Sequence, residues 1–249
     1  MAVKHLFLIT SAINTKFGWY TPYARMRQVQ KTINSIVEKI PDAKVVIVES
    51  SGWQLSENQL AELRDVSNYV IDFSHSPVMS QIQDDQSVDE WDGVKNVCEV
   101  TCFNQMFISL DELLTTSLKD ITRIHKISGR YTLNDNFNKY LYEVEDDKII
   151  FARKFETHFK PEHNLGIPYQ YMSRLWSWPI HRHDEVKTFY KKALNKMLSS
   201  YEKDKYVDIE HLLYYYFKKN KNVLEVPKIG IEGLIAGNGQ LIDDQLVKN

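Results

Sequence analysis

The chain has 249 residues, a formal net charge of -2, and 43% hydrophobic and 26% charged residues. This ordinary composition excludes a disordered or fibrous protein, and the near-neutral charge argues against a broad basic face for duplex DNA. We therefore predict one compact domain over residues 1–249 that binds no nucleic acid, and any anion site in it must be local.

The beginning of the chain predicts a strand and not a targeting segment. Its short apolar run is interrupted by Ser11 and Asn14, unlike a signal peptide, and no stretch reaches the roughly eighteen apolar residues of a membrane span. Cys98 and Cys102 lie four residues apart in a helical pattern, which places both thiols on one face of a core helix. Two core thiols and no span predict a cytoplasmic protein without a membrane-spanning segment.

The first half of the chain alternates strand and helix patterns, which is typical of a mostly parallel sheet covered by helices. Residues 4–9, 44–48 and 69–73 predict the first three strands. Thr21 and Pro22 predict the start of a first helix that ends before Pro41, and Ser56 with Gln59 predicts a capping box for a second.

The remaining elements become harder to read along the chain. Residues 74–92 predict a long acid-rich loop, and residues 94–118 a helix. Residues 121–127 and 148–153 predict the fourth and fifth strands. Prolines interrupt the chain beyond residue 155, but helices are predicted from residue 184 to about 201 and from Asp208 onward. Residues 223–226 and the IGIEGLIAGNG segment predict a final strand pair with a turn at 237–239.

Polar residues follow the first, second and fourth strands, where open α/β sheets bind ligands. The candidates are Thr10, Ser11, Asn14, Glu49, Ser50, Ser51, Lys126, Ser128, Gly129, Arg130 and Tyr131. No GxGxxG follows the first strand and no GxxxxGK[ST] occurs anywhere, so neither dinucleotide binding nor a P-loop is indicated.

Several of these segments together resemble a known family. TSAIN, YARMRQVQKTINSI, IPDAKVVIVESS, KNVCE and above all HKISGRYTLNDNF resemble the small virus- and phage-encoded GT-A-like glycosyltransferases, in particular those of cyanophages, over roughly residues 3–140. The resemblance implies an α/β fold with a Rossmann-type mixed, mostly parallel sheet flanked by helices and a short C-terminal α/β portion. Residues 1–140 would be the nucleotide-sugar-binding half, and residues 141–249 the acceptor-side half.

The same resemblance implies an activity and a set of site residues. The enzyme would be a hexosyltransferase in the host cytoplasm that moves a hexose from a UDP-sugar, foremost UDP-glucose, to a glycan, lipid or protein acceptor. Thr10, Ser11 and Glu49 would contact the uridine. The residues expected at the diphosphate are Arg25, Lys95, Lys126, Ser128, Gly129 and Arg130. A non-catalytic nucleotide-sugar or glycan-binding module of the same fold is the alternative, and a nucleotidyltransferase is a further one.

One departure from the family leaves the metal question open. GT-A enzymes usually carry Asp-x-Asp at the end of the fourth strand, where this chain has Ser128-Gly129-Arg130. Lys126 and Arg130 can neutralise a leaving diphosphate in place of a metal. Alternatively, Asp135 or the acids of residues 84–92 bind Mn²⁺ or Mg²⁺ through oxygen ligands.

An acceptor hydroxyl requires a general base in an inverting transfer, and carboxylates serve this role. We expect Glu210 first and Asp208 second, with His211 as a partner, although Asp208 is also a good helix N-cap. Other residues have equally plain structural interpretations: Arg27 on a solvated helix face, His181 and His183 on the surface, and Trp176 and Trp178 either in the core or stacked on a sugar.

Overall fold

The computed structural model describes residues 3–16, 18–84, 91–161, 164–203, 205–234, 241–244 and 246–247. Residues 85–90 of the predicted acid-rich loop and the predicted turn at 237–239 lie outside this part of the chain. The strands are β1 (His5–Ser11), β2 (Lys44–Glu49), β3 (Tyr69–Asp72), β4 (Arg123–Ser128), β5 (Tyr131–Leu133), β6 (Ile149–Ala152), β7 (Phe155–Glu156), β8 (Tyr169–Gln170), β9 (Leu175–Pro179), β10 (Val223–Val226), β11 (Ile231–Leu234), β12 (Leu241–Asp243) and β13 (Leu246–Val247). The helices are α1 (Pro22–Lys39), α2 (Glu57–Val66), α3 (Pro77–Asp84), α4 (Trp91–Thr115), α5 (Lys139–Val144), α6 (His183–Tyr201) and α7 (Ile209–Phe217).

A seven-stranded sheet in the order β10-β6-β9-β4-β1-β2-β3 organises the fold. Strands β3, β2, β1 and β4 run parallel, as the alternating pattern of the first half predicts. Strand β9 is antiparallel to both of its neighbours, β4 and β6. The predicted mixed, mostly parallel sheet with flanking helices is therefore confirmed.

Helices cover both faces of this sheet because its strands are apolar on both sides. One hydrophobic cluster packs α3, α4, α6 and α7 against one face, and a second packs α1, α2 and α5 against the other. The predicted caps are confirmed: the Thr21 hydroxyl accepts from the Ala24 amide at 3.2 Å, and Ser56 and Gln59 form a capping box.

Three sequence predictions are corrected by the structure. Residues 77–84 form α3, so the long loop predicted over 74–92 contains a helix that packs on α4 through its buried Met79. Strands β5, β7, β8 and β9 and helix α5 were not predicted. The predicted C-terminal strand pair does not exist as such, because β10 joins the large sheet beside β6 while β11 pairs with β5 and β12 in a four-stranded sheet. Sequence periodicity gives a strand's faces but not its neighbours.

The position of β9 decides between the two interpretations of its tryptophans. This strand lies between β4 and β6 in the middle of the sheet, and Trp176 and Trp178 are fully buried. Trp176 stacks on Phe151 with ring centroids 5.1 Å apart. Both tryptophans are core residues and are not exposed to a sugar.

Candidate functional site

A polar cleft opens where the carboxyl ends of three neighbouring strands meet. Thr10 of β1 lies opposite Ser128 of β4, and Ser11 lies opposite Glu49 of β2, so the strands end at one level. The helices α1, α3 and α4 contribute the other walls. The cleft is lined by Thr10, Ser11, Ala12, Thr15, Gly18, Arg25, Ser50, Gln83, Val94, Lys95, Cys98, Glu99, Ser128 and Arg130. It therefore gathers most of the residues that were predicted to bind a nucleotide sugar.

Glu49 braces the loops that form this cleft but does not line it. Its side chain is fully buried, and Oε1 accepts from the amides of Ile13 at 3.0 Å and Ser51 at 2.9 Å and from the Ser51 hydroxyl. Ser51 also accepts from the Asn14 amide at 2.7 Å. Burial raises the pKa of Glu49, and the hydrogen bonds from Ser11 and Ser51 oppose that rise. This arrangement holds the loops after β1 and β2 together.

Basic side chains concentrate in the cleft. The Arg25 guanidinium donates to the backbone carbonyls of Tyr20 at 3.2 Å and Ala12 at 3.1 Å, which fixes it against the loop after β1. Burial, and then the charge of Arg130, lowers the pKa of Arg25, although an arginine remains protonated. Lys95 of α4 is exposed at the rim. The cleft is therefore positively charged on two sides.

Arg130 is the cleft cation with an unmet hydrogen-bonding group. Its Nε is buried and has no acceptor among the residues that the structure describes. Its guanidinium carbon lies 5.5 Å from the centroid of the Tyr131 ring, and Arg174 lies 5.7 Å from the same ring. Burial alone would raise the pKa of Tyr131, but the charges of Arg130 and Arg174 outweigh it and lower that pKa.

Sequence reasoning missed Arg174. It precedes β9, and its carbonyl accepts from the Ser128 amide at 3.0 Å, so the antiparallel strand delivers it to the carboxyl end of β4. The available signal was a basic residue, Arg174, directly before the apolar LWSWP strand. Its use required knowing that β9 runs antiparallel to β4, which the sequence did not indicate.

Lys126 is not available to a ligand in this structure. Its side chain is fully buried, and Nζ lies 2.7 Å from Oε1 of Glu99, 2.7 Å from the Ser173 carbonyl oxygen and 3.1 Å from the Ser128 hydroxyl. Burial opposes ionisation of Glu99, but the charge of Lys126 overcomes it and lowers the Glu99 pKa. Lys126 therefore fixes the cleft wall from below and does not line the cleft.

Gly129 has a steric role at the turn after β4. A Cβ atom on this residue would lie 3.0 Å from the Thr10 carbonyl oxygen and 2.9 Å from a methyl group of Val29. The Gly129 amide donates to the same Thr10 carbonyl at 2.8 Å. The absence of a side chain allows this turn to approach β1 and so orients the following Arg130.

Glu210 of α7 is connected to the cleft through Ser173. The Ser173 hydroxyl donates to Oε1 of Glu210 at 2.6 Å, while the Ser173 carbonyl accepts from Lys126. Burial, and then the charge of Asp208, raises the pKa of Glu210, and the charge of Lys95 opposes the rise. Glu210 is half-buried and does not line the cleft, although the charges of Lys95 and Glu99, which do line it, act on its pKa. A carboxylate with a raised pKa is suited to accept a proton.

Asp208 is an N-cap with its own chain of partners. Its Oδ1 accepts from the His211 amide at 2.8 Å and lies 2.6 Å from His211 Nδ1. His211 Nε2 lies 2.8 Å from the Thr157 hydroxyl oxygen, and His211 is fully buried. Asp208 and His211 therefore connect α7 to the turn after β7, and neither lines the cleft.

Asp135 is not brought to the cleft. Its fully exposed carboxylate pairs with Lys39 at 2.7 Å, near the end of α1. Arg25, which lines the cleft, lies near the start of α1, about 20 Å away at 1.5 Å of rise per residue. A metal on Asp135 would thus be remote from a diphosphate beside Arg25 and Arg130.

The described residues do not fit a divalent metal elsewhere in the cleft. They contain no group of three or more His, Cys, Asp or Glu side chains able to hold an ion. Glu99 lines the cleft, but its Oε1 is engaged by Lys126. Cys98 lines it as well, and burial raises the pKa of that thiol to about 12, so it stays protonated. The acids of residues 85–90 lie outside the described part of the chain.

The two predicted surface histidines pair with acids away from the cleft. His181 Nε2 lies 2.9 Å from Asp147, and His183 Nε2 lies 3.0 Å from Asp111. His181 is exposed, whereas His183 is buried against the ring of Phe107. They do not form a common site.

The fold and the cleft together define a GT-A-like, Rossmann-type α/β protein. A similar solved structure is that of core-mannan synthase A from Aspergillus fumigatus in its Mn/GDP form, with a TM-score of 0.53 and 6% sequence identity. The match covers 89% of this chain and 72% of the synthase chain. No protein-family model and no curated protein sequence matches this chain. At this identity the likeness concerns the fold alone.

Proposed function

We propose that this chain is a glycosyltransferase that binds a nucleoside-diphosphate sugar in the cleft and transfers its hexose to an acceptor. The observation that carries the proposal is the buried Nε of Arg130, which has no acceptor among the described residues, in a basic cleft at the ends of β1, β2 and β4. A buried donor without a partner is costly, and an anionic ligand would satisfy it. The solved structure of similar fold supports this proposal, because it is that of a synthase in its Mn/GDP form.

The basic residues of the cleft would neutralise the diphosphate. Charge accumulates on the diphosphate as the bond to the sugar breaks, and fixed cations stabilise that charge without reorganising. Arg130 is the first candidate, with Arg25, Lys95 and Arg174 around it. Thr10, Ser11 and Ser128 would contribute hydroxyl groups to the donor. Lys126, Gly129 and Glu49 would act indirectly, by holding the walls and loops that carry these groups.

Glu210 would be the general base of an inverting transfer. Its carboxylate takes the proton of the acceptor hydroxyl while that oxygen bonds to the anomeric carbon and the nucleoside diphosphate leaves with the bonding electrons. The raised pKa of Glu210 favours this step. Asp208 would help to raise that pKa and to cap the helix that carries Glu210. The acceptor, whether glycan, lipid or protein, is left open by this proposal.

The proposal also concerns the nucleobase of the sugar donor and the need for a divalent metal. UDP-glucose follows from the family resemblance, whereas the GDP in the similar solved structure supports a guanosine donor. Mn in that structure supports a metal, whereas the described cleft residues favour a metal-independent arginine site. A phage origin and a location in the host cytoplasm remain predictions.

Calorimetric titration tests the proposal directly. The protein is titrated with UDP, UDP-glucose, GDP and GDP-mannose, first in EDTA and then with Mn²⁺. Binding in EDTA that disappears in Arg130→Ala supports the metal-independent clamp, whereas binding only with Mn²⁺ implicates an acid outside the described residues. If none of the four ligands binds under either condition, the nucleotide-sugar proposal is wrong.

Turnover separates the enzyme from a non-catalytic binding module. The enzyme releases free nucleoside diphosphate when incubated with its donor and a range of acceptors, and Glu210→Gln binds the donor normally but releases much less. A module binds the donor without release. Release of pyrophosphate from a nucleoside triphosphate and a sugar phosphate would instead identify a nucleotidyltransferase.

A further inference from the structure

Six exposed lysines lie on α6 and at the end of α7, and we refer to them as the lysine face. They are Lys191, Lys192, Lys196, Lys218, Lys219 and Lys221. None of the six forms an ion pair with another residue that the structure describes. None lines the cleft. The lysine face is thus separate from the proposed donor site.

Contacts between the two helices bring these lysines onto one surface. The Tyr216 hydroxyl of α7 donates to the Lys192 carbonyl of α6 at 3.5 Å. The rings of Phe189 and Phe217 pack with centroids 5.1 Å apart. Lys192 and Lys218 each lie within three residues of these contacting rings. The lysines of α6 and those at the end of α7 therefore contribute to the same local electrostatic potential.

The charge of this region differs from that of the whole chain. Residues 183–221 contain nine lysines and six acids, although the complete chain has a net charge of -2. Asp208 and Glu210 are engaged at the other end of α7 by His211 and Ser173. Asp184 and Glu185 pair with Lys187 and Arg182, respectively. A cluster of like charges raises the free energy of the free protein, and an anionic partner lowers it.

The side chains of the lysine face fit a lipid surface better than a nucleic acid. All six cations are lysines, which act as point charges and lack the forked geometry with which arginine reads phosphates and bases. Tyr215 lies beside Lys218 with 47% of its surface exposed, and Lys218 Nζ is 5.2 Å from the Tyr215 ring. Tyrosine favours the boundary between water and hydrocarbon.

We infer that the lysine face docks the protein onto the surface of an anionic lipid bilayer. The lysines would lie at the headgroups, with Tyr215 reaching towards the acyl boundary. This is surface attachment, and among the described residues no helix is long and apolar enough to cross a bilayer. The inference does not depend on the reaction in the cleft.

Vesicle sedimentation tests the inference with the intact chain. We expect binding to phosphatidylcholine vesicles that contain about 30% phosphatidylserine and none to phosphatidylcholine alone, since each lysine near an anionic surface strengthens binding roughly fivefold. The variant Lys192→Glu/Lys196→Glu/Lys218→Glu/Lys219→Glu should bind more than roughly a hundredfold less tightly. Raising the salt to about 0.5 M should weaken binding of the unmodified protein, which tests the charge effect without mutation.

A matched variant controls for total charge. Lys31→Glu/Lys44→Glu/Lys119→Glu/Lys228→Glu makes the same change at exposed lysines elsewhere and should keep vesicle binding. Equal loss in both variants, or no binding of the unmodified protein to anionic vesicles, overturns the inference. Tight binding to single-stranded DNA or RNA without vesicle binding also overturns it and assigns the face to nucleic acid. Donor binding in the cleft should be unchanged in both variants, so this result is distinguishable from failure of the proposed function.

Discussion

The two ends of the central strands carry similar side chains with opposite consequences. At the carboxyl ends of β1 and β4, Arg130 borders an open cleft above the buried Lys126, and the Arg130 Nε has no partner among the described residues. Towards the amino ends, His5, Arg123 and His125 are buried. Charged and titratable groups therefore occur at both ends of the sheet, but only one end is open to a ligand.

The protein itself satisfies most of the polar groups near the amino ends. His5 Nδ1 lies 2.9 Å from His125 Nε2, and the His125 ring stacks on Phe7 at 4.4 Å. Arg123 donates to the Lys148 carbonyl and to the Ser177 hydroxyl, each at 3.1 Å. We therefore expect substitutions at the amino ends of the strands to change the stability of the protein, and substitutions at the cleft surface to change ligand binding.

Lys126→Met gives the largest expected effect and tests the limits of this comparison. Because Glu99, with only 16% of its side chain exposed, would lose its cation, the free energy of unfolding should fall by about 3 kcal/mol in urea titrations. The matched control is Lys39→Met, which breaks an ion pair of the same 2.7 Å length to the exposed Asp135 and should cost far less, because water screens an exposed pair. Adding Glu99→Gln should restore part of the loss. Equal effects in the two lysine variants would contradict the buried ion pair.

Arg130→Ala should separate binding from stability. Loss of one preorganised cation at the diphosphate should lower kcat/KM for the donor by roughly 10²–10³-fold. The free energy of unfolding should change by less than about 1 kcal/mol, since the Nε makes no hydrogen bond within the described protein. Arg27→Ala is the control, because this exposed guanidinium contacts only Gln30 in the described structure and its loss should leave both measurements unchanged. Full activity in Arg130→Ala would remove it from the site.

The buried histidine pair should make stability depend on pH. Burial, and next the charge of Arg123, lowers the pKa of His5 from 6.5 to about 4, and burial also lowers the pKa of His125. Above pH 6.5 the two imidazoles are neutral in both the folded and the unfolded protein. Below pH 6.5 each imidazole takes up a proton in the unfolded chain but stays neutral in the folded protein. The free energy of unfolding should therefore fall between pH 6.5 and 4, by about 3 kcal/mol for His5 alone.

Replacement of the pair checks the source of that pH dependence. His5→Leu/His125→Leu should have a flatter profile of unfolding free energy over the same range. The exposed His75 serves as the control, and His75→Leu should keep the full slope. A slope that survives in the double variant would place the responsible groups elsewhere in the protein.

Ser173→Ala has the smallest expected effect and sharpens the assignment of the base. The Ser173 hydroxyl lowers the pKa of Glu210 through its 2.6 Å hydrogen bond, so its loss should raise that pKa further. The acidic limb of the pH profile of kcat/KM should move to higher pH by up to about one unit, which is about 1 kcal/mol. In Glu210→Gln the limb should disappear. A limb at the same pH in all three proteins would exclude Glu210 as the base.

The sequence predicted helices and strands well where a helix cap or a side-chain periodicity was enough to identify them. Thr21, Pro22 and the Ser56–Gln59 pair marked the starts of α1 and α2, and the apolar runs marked β1 to β4, because caps and side-chain periodicity depend on neighbouring residues. The alternation of strands and helices then predicted the parallel part of the sheet. Helix α3 was missed because Pro77 and the acidic run after it indicated a loop, although Val78, Met79 and Ile82 have helical spacing.

The site was only partly predictable for a related reason. Polar residues after β1, β2 and β4 were assigned to one edge, and the structure gathers Thr10, Ser11 and Arg130 there. Asp135 is close to Arg130 in sequence, yet it lies by Lys39, about 20 Å from Arg25 along α1. The sequence separation of Arg130 and Asp135 did not predict their separation in space, because β5 leads the chain away from the cleft.

The sequence by itself determined the strand ends, the helix caps and the residue types that reach the carboxyl edge of the sheet. Only the tertiary structure decided that Lys126 is sealed by Glu99 and Ser173 while Arg130 faces the cleft, and that Arg174 joins it from an antiparallel strand. The physical reason is that local patterns fix backbone geometry, whereas the burial and charge state of a side chain depend on partners that arrive from distant segments.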